Sequence, residues 1–380
     1  MSPSFPADMN TPAYVLDVAA LKRNLATAAR IKREAGVKIL LATKAWAMPA
    51  VFALMRDTLD GTTASGLYEA RMGAEEFGKE VHVYAPAYTP EEVDELARIA
   101  DHIYFNTPSQ IARFLPAVKR AGKHAGIRVN PGFSYVSLGG DLYNPCAPGS
   151  RFGTPADQLD AVPWDDIHTI HTHALCEATD AGSVGLIEHV AQNFAPYLRR
   201  VRCVNFGGGH FVNKPGYDVA RLIAALRAFR ATYPHLEVIL EPGAGLVVDT
   251  GYLVATVLDT MRNGADIAIL DTSASTHMPD VLEVPYTPGI IGAGEPGEKA
   301  HTYVLGGKTC MTGDVIGTYS FDRPLEVGDR LVFTDMMQYS FVKNTTFNGT
   351  PLPDLAVLEE DGRYRVLRSY GYDEFRRRLG

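Results

Sequence analysis

The sequence predicts an α/β protein in two parts: a (β/α)8 TIM barrel over 17–245, and a second, C-terminal antiparallel β domain formed by 246–380 together with 1–16. Three observations carry that prediction. Between 17 and about 245, short runs of branched apolar residues alternate with helical patterns, as βαβ units and a parallel sheet require. There are eight such runs over roughly 230 residues, which fits a closed barrel better than an open sheet. After 246 the texture changes to valine- and threonine-rich runs between turn signals, the pattern of antiparallel strands.

In chain order, Ala13-Tyr14-Val15-Leu16 is a short apolar run expected to join the second domain as an edge strand. Asp17 can N-cap a helix through Lys32, with Leu21, Leu25, Ala28 and Ile31 on one face. Barrel strands are predicted at 38–43, 61–65, 81–85, 102–106, 125–130, 167–173, 201–206 and 236–241. Helices are predicted at 90–100, where Pro90, Glu91 and Glu92 suit a first turn, and at 107–120, 183–199 and 217–232. The stretch 131–165 is rich in Gly, Pro and Asn and too long for an ordinary connection, so it reads as a functional loop and candidate lid at the barrel mouth. The later runs, 246–257, 265–271, 301–306, 329–334, 356–359 and 363–368, are separated by turns such as Asn263-Gly264 and Glu360-Asp361-Gly362.

Composition excludes several classes. A chain of 380 residues, 46% hydrophobic and 21% charged, is an ordinary globular protein rather than a disordered or fibrous one. The formal charge of −8 leaves no basic footprint for nucleic acid, while tolerating a cationic substrate. Cys146, Cys176, Cys203 and Cys310 form no regular framework, which points to reduced thiols and a cytoplasmic protein. Met1 to Asn10 has neither a basic region nor an apolar core, and no run of about 18 apolar residues occurs, so neither a targeting segment nor membrane association is expected.

Chemistry enters at the strand ends, which in a barrel of this kind share one mouth. Strand one ends in Lys44, strand two in Thr63-Ala64-Ser65, strand five in Arg128-Val129-Asn130, strand six in His171-Thr172-His173, strand seven in Asn205-Phe206-Gly207-Gly208-Gly209-His210, and strand eight in Glu241-Pro242-Gly243. Three consecutive glycines after strand seven leave backbone N–H groups able to approach an anion, and barrel phosphate sites commonly lie after strands seven and eight. A phosphate site opposite a strand-one lysine points to a phosphorylated aldehyde held as a Schiff base, which is pyridoxal 5'-phosphate. Glu241 then suits the pyridine nitrogen, keeping it protonated, and an imidazole of the His171/His173 pair suits the ring face. The His-x-His pair, with Cys176 and Glu177 nearby, also resembles the signature of zinc-dependent amidohydrolases. In those enzymes the pair sits on the first strand, so no metal is expected here.

These residues resemble the fold-type III pyridoxal-phosphate decarboxylases, the alanine racemase-like family that includes ornithine and diaminopimelate decarboxylases. Thr11-Pro12-Ala13-Tyr14-Val15, Ala42-Thr43-Lys44-Ala45, Glu241-Pro242-Gly243, Gly307-Lys308-Thr309-Cys310-Met311-Thr312-Gly313-Asp314, and Asp335-Met336-Met337-Gln338-Tyr339 through Thr346-Phe347-Asn348-Gly349 follow the family's motifs in order. There are departures. The usual arginine after Glu-Pro-Gly is Ala244, the usual His-x-Gly-Ser is His173-Ala174-Leu175-Cys176, and Met311 stands where ornithine decarboxylases carry an acidic residue. With Asp271-Thr272-Ser273 and His277-Met278-Pro279-Asp280, they look like the carboxynorspermidine/carboxyspermidine decarboxylase branch.

The resemblance implies a homodimer with shared active sites acting on a polyamine precursor. Lys44 would anchor the cofactor, His173 would stack on its ring, and Glu241 would bind its nitrogen and face the substrate. Gly207, Gly208 and Gly209 with Tyr339 would hold the phosphate. Cys310 from the partner would return a proton after carbon dioxide leaves. Asp280 and Asp314 would meet the substrate's distal amines. Three rival readings remain: a decarboxylase of diaminopimelate, ornithine, lysine or arginine; a racemase, which would place an arginine rather than Glu241 at the pyridine nitrogen; and a non-catalytic pyridoxal-phosphate-binding protein, which would lack the β domain.

Overall fold

The computed structural model describes residues 3–136 and 143–380, in two compact units, Arg23–Leu246 and Met1–Lys22 with Val247–Gly380. In the first, eight parallel strands close on themselves: Lys38–Ala42, Gly61–Ala64, Glu80–Tyr84, His102–Phe105, His124–Arg128, Thr169–His171, Cys203–Asn205 and Glu237–Leu240. Closure is made by the last strand on the first, Ile239 opposite Lys38. These are the eight predicted strands, each beginning or ending within a few residues of its expected bounds. Their bodies are apolar on both faces, as in Ile39-Leu40-Leu41, because helices cover the outside of a parallel sheet while side chains fill the inside.

The helices between strands have local causes. Pro90–Ile99 starts at a capping box, with Thr89 Oγ1 accepting from Glu92 N–H at 3.2 Å and the Glu92 carboxylate accepting from Thr89 N–H at 2.8 Å. Asp17 caps Val18–Ala35 by accepting from Ala20 N–H at 2.9 Å. The stretch expected as one helix over 183–199 is two, Asp180–Asn193 and Ala195–Leu198. Pro196 has no N–H to continue the ladder, and Phe194 takes a non-helical conformation before it. Within the expected lid, Tyr135–Val136 pairs with Leu175–Cys176, and Trp164 is buried and donates to the Leu159 carbonyl. The part of that segment at 137–142 lies outside the described residues.

The second unit is a mostly antiparallel sheet in the order Val315–Phe321, His301–Gly306, Ala265–Leu270, Gly251–Asn263, Ala13–Asp17, Asp354–Leu358, Tyr364–Arg368, with Arg330–Thr334 also pairing on Gly251–Asn263. One expectation is corrected here. Ala13–Asp17 is not an edge strand: it lies between Gly251–Asn263, antiparallel, and Asp354–Leu358, parallel. Its first four residues are fully buried, and Ala13 and Val15 share a core with Met9, Val254 and Ala356. An edge would have left one face of its backbone unpaired. No helix among the described residues is long and apolar enough to cross a membrane.

Candidate active site

The polar ends of the barrel strands meet around a cavity lined by Lys44, Ser65, Tyr84, Arg128, His171, His173, Gly208 and Glu241 among others. Lys44 stands in the turn directly after the first strand, and the turn is fastened by Glu69. One Glu69 oxygen accepts from Thr43 Oγ1 at 2.9 Å and from the Ser65 N–H at 2.7 Å, joining the ends of strands one and two. The lysine's surroundings are crowded, yet its side chain keeps accessible surface because it projects into the cavity. Crowding, and then the Arg128 guanidinium, lower its pKa, against partial opposition from Glu241.

Glu241 is buried and ionised. Burial alone would raise its pKa, but the N–H groups of His171 and Asn205 outweigh it and hold the carboxyl below the ordinary range. Oε2 accepts from His171 Nε2 at 3.1 Å and Oε1 from Asn205 Nδ2 at 2.6 Å. His171 is neutral, because its burial outweighs the attraction of Glu241. His173 is neutral for the same first reason, with Lys44 and Arg128 adding to it. Its Nδ1 accepts from Gly208 N–H at 2.9 Å, and its carbonyl accepts from Arg128 at 2.9 Å. The Arg128 guanidinium lies over the rings of Tyr84 and Phe152, 4.5 and 4.7 Å from their centroids.

The glycine run works differently from its expected role. Gly207 N–H donates to Asn205 Oδ1 at 2.8 Å and Gly208 N–H to His173, so these two amides are not free for an anion. They shape the loop and orient two side chains of the site. A Cβ on Gly208 would lie 2.7 Å from the Glu241 carbonyl oxygen and 3.2 Å from His173 Cε1, so only glycine lets these strand ends pack this closely.

The other predicted residues lie in the β unit. Cys310 is exposed, its N–H donating to Asn348 Oδ1 at 2.8 Å. Tyr339 is a non-glycine residue in the left-handed region, φ 50°. Asp280 pairs with Lys343, which also reaches Glu283. Asp314 requires a correction. It is buried and accepts from Ser273 Oγ at 2.9 Å, Ser275 N–H at 3.3 Å, Thr309 Oγ1 at 2.6 Å and Thr309 N–H at 3.3 Å. A carboxylate so supplied with donors organises the loop before Cys310 and has little left for a substrate amine.

At the opposite end of the barrel, where the strands begin, Glu80, His82 and His102 bring three donor atoms within 4.8 Å. The two imidazoles are stacked at 4.2 Å and 11°, so their lone pairs run side by side instead of converging. The Lys38 ammonium, 2.6 Å away, already neutralises Glu80. That arrangement suits a packed ion-pair network better than a coordinated ion.

Comparison with known proteins shows the family. A family model described as "Pyridoxal-dependent decarboxylase, C-terminal sheet domain" matches residues 13–337. The chain belongs to the pyridoxal-dependent decarboxylases. It is 41% identical to the carboxyaminopropylagmatine decarboxylase of Synechocystis sp., over 98% of this chain and 96% of that one. It is 37% identical to the carboxynorspermidine/carboxyspermidine decarboxylase of Campylobacter jejuni, over 97% and 98% of the two chains. The solved structure of Campylobacter jejuni carboxynorspermidine decarboxylase complexed with norspermidine superposes with a TM-score of 0.90 at 36% identity, covering 97% of this chain and all of the other. A diaminopimelate decarboxylase from Helicobacter pylori, complexed with L-lysine, shares the fold at 17% identity and a TM-score of 0.85.

The cavity fits the cofactor of a pyridoxal-dependent decarboxylase. It offers a lysine of lowered pKa, an ionised carboxylate with lone pairs to spare, and a buried His171 Nδ1 that has no hydrogen-bond partner among the described residues. Gly208→Ala tests the packing argument. A methyl driven against backbone costs about 1–3 kcal/mol. We expect the variant to fold with a lowered melting temperature and to bind pyridoxal phosphate about tenfold more weakly by fluorescence titration, in line with a cost near 1.4 kcal/mol.

Proposed function

We propose that this enzyme decarboxylates carboxynorspermidine, carboxyspermidine or both, releasing norspermidine or spermidine in polyamine biosynthesis. The likeness over nearly the full length to enzymes of that name, at 36–38% identity, carries the proposal. The barrel cavity supplies what the reaction class needs. Bound pyridoxal phosphate supplies an electron sink for the charge left at the substrate's α carbon. Lys44 would anchor it, His173 would lie against its ring, and Glu241 would hold a proton at the ring nitrogen. Of the glycine run Gly209, together with Tyr339, would face its phosphate, and Asp280 would meet a distal amine of the substrate.

Cys310 would return the proton to the α carbon, and in this proposal a second copy of the chain brings it there. Met311, Val315 and Phe347 are exposed apolar side chains near Cys310 in sequence or through its Asn348 contact, as a surface covered in a homodimer would be. We place the enzyme in the cytoplasm, where its cysteines would stay reduced.

A second substrate is favoured by the relative at 41% identity, carboxyaminopropylagmatine, whose tail ends in a guanidinium. Carbon dioxide release from carboxynorspermidine, carboxyspermidine, carboxyaminopropylagmatine, diaminopimelate, ornithine, lysine and arginine tests both. We expect kcat/KM for one of the three carboxylated polyamines to exceed that for every ordinary amino acid by about 100-fold or more, since a lost charged contact is worth 2–3 kcal/mol. A preference for diaminopimelate or ornithine would overturn the assignment.

A further inference from the structure

Glu241 is held by two side chains, and one residue deeper in the barrel touches both. Its oxygens accept from Asn205 and His171. Tyr104, on the fourth strand, accepts from Asn205 Nδ2 at 3.2 Å and stacks on His171, the ring centroids 4.9 Å apart at 10°. All four are buried. A Cβ on Gly126 of the adjacent strand would lie 2.3 Å from Tyr104 Cδ1, so the glycine opens the volume this ring fills.

The directions of the hydrogen bonds follow from one fixed point. Asn205 Oδ1 accepts from Gly207 N–H, which leaves both its amide protons for Glu241 and Tyr104. Tyr104, accepting from Asn205, points its own proton at His82 Nδ1, 2.6 Å away. His82 therefore carries its proton on Nε2 and donates to Glu80 Oε2 at 3.2 Å. Glu80 closes on Lys38 at 2.6 Å, and Lys38 on Glu237 at 2.8 Å. Donation thus runs both ways from Asn205, up to the Glu241 carboxylate at the mouth and down through Tyr104 and His82 to Glu80 at the floor of the barrel. In a low-dielectric interior each bond of the descending branch polarises the next and fixes the amide from which Glu241 accepts.

We propose that Tyr104 and His82 are positioning residues for Glu241, orienting Asn205 and His171 so that the carboxylate meets the cofactor's ring nitrogen ionised and in one orientation. The proposal rests on the reading of Glu241 given above. Neither residue touches the cavity's reacting atoms. Tyr104→Phe keeps the ring on His171 and removes only the hydroxyl, orphaning an Asn205 N–H and His82 Nδ1.

The test uses holoenzyme reconstituted with pyridoxal phosphate carrying nitrogen-15 in its ring. We expect Tyr104→Phe and His82→Leu each to move the ring-nitrogen resonance toward that of unprotonated pyridine and to lower kcat about tenfold with KM nearly unchanged, the scale at which loss of an outer partner is felt. His82→Asn, whose Oδ1 can accept from Tyr104, should return both toward wild type, which a merely structural role would not. Glu241→Gln is the reference and should move the resonance furthest. If it does so while Tyr104→Phe and His82→Leu leave the resonance in place, the positioning role is refuted and the reading of Glu241 stands. If Glu241→Gln leaves it in place, that reading fails and the proposal with it. Should Tyr104→Phe not fold, the His82 pair decides alone.

Discussion

Lys44→Ala should abolish the enzyme's visible cofactor absorbance and lower kcat/KM by at least about 10³-fold, the scale on which loss of a covalent participant is felt. The expectation follows from where the sequence puts this amine. An ordinary lysine is almost wholly protonated near neutral pH and is a poor partner for an aldehyde. Crowding and the Arg128 guanidinium lower the pKa of Lys44, and each unit of lowering raises the fraction of free amine tenfold. Capture of pyridoxal phosphate by the apo-protein should therefore rise with pH and reach half its maximum below the ordinary lysine value of 10.5. Lys44→Arg separates chemistry from charge, because guanidinium keeps the cation and cannot supply a free amine. It should lose the absorbance band as Lys44→Ala does. A band that survives in either variant would show that Lys44 is not the anchor.

The barrel was legible because its cause is local. Eight apolar runs at helical intervals call for a parallel sheet covered on both faces, their number fits a closed barrel better than an open sheet, and each run can be read without knowing its neighbours. Ala13–Asp17 was misjudged because sheet order is not local. Four apolar residues read the same at an edge as in the interior, and the partners that settle the matter are some 240 residues or more away in sequence, at Leu253 and Leu355. Val315–Phe321 escaped notice because Gly317, Thr318 and Ser320 dilute its apolar pattern, although Ile316, Tyr319 and Phe321 are buried.

In the site, a strand-end census was enough to bring Lys44, His173, Gly208 and Glu241 together, since parallel strands end at one mouth. Of the residues that hold them, Asn205 stood in that census without a role, and Tyr104 and Glu69 were outside it. Asn205, Tyr104 and Glu69 act through hydrogen bonds to side chains from other strands, and nothing in a spacing reveals a partner across a barrel. Asp314 shows the reverse limit. A motif placed it beside Cys310, but its serine and threonine donors come partly from 273–275, and only the folded loop shows that they occupy it.

Mixing two inactive variants should restore activity if Cys310 serves a neighbour's cavity. In a Lys44→Ala homodimer both sites lack the lysine; in a Cys310→Ala homodimer both lack the thiol. A mixed dimer of a C2 pair carries both lesions in one site and neither in the other. With random exchange half of all dimers are mixed, and each has one intact site of two, so about a quarter of wild-type turnover should return. Were each site built from a single chain, mixing would give only the average of the two residual activities. The control is Lys44→Ala mixed with His173→Ala. Both residues line one barrel cavity, so every site in every mixed dimer stays defective and no recovery is expected under either arrangement. Recovery in that control would mean that the barrel cavity itself is shared between chains. Its absence there, with recovery to about a quarter in the first mixture, would assign Cys310 to the partner's site, because no other division of the residues restores one mixture and not the other.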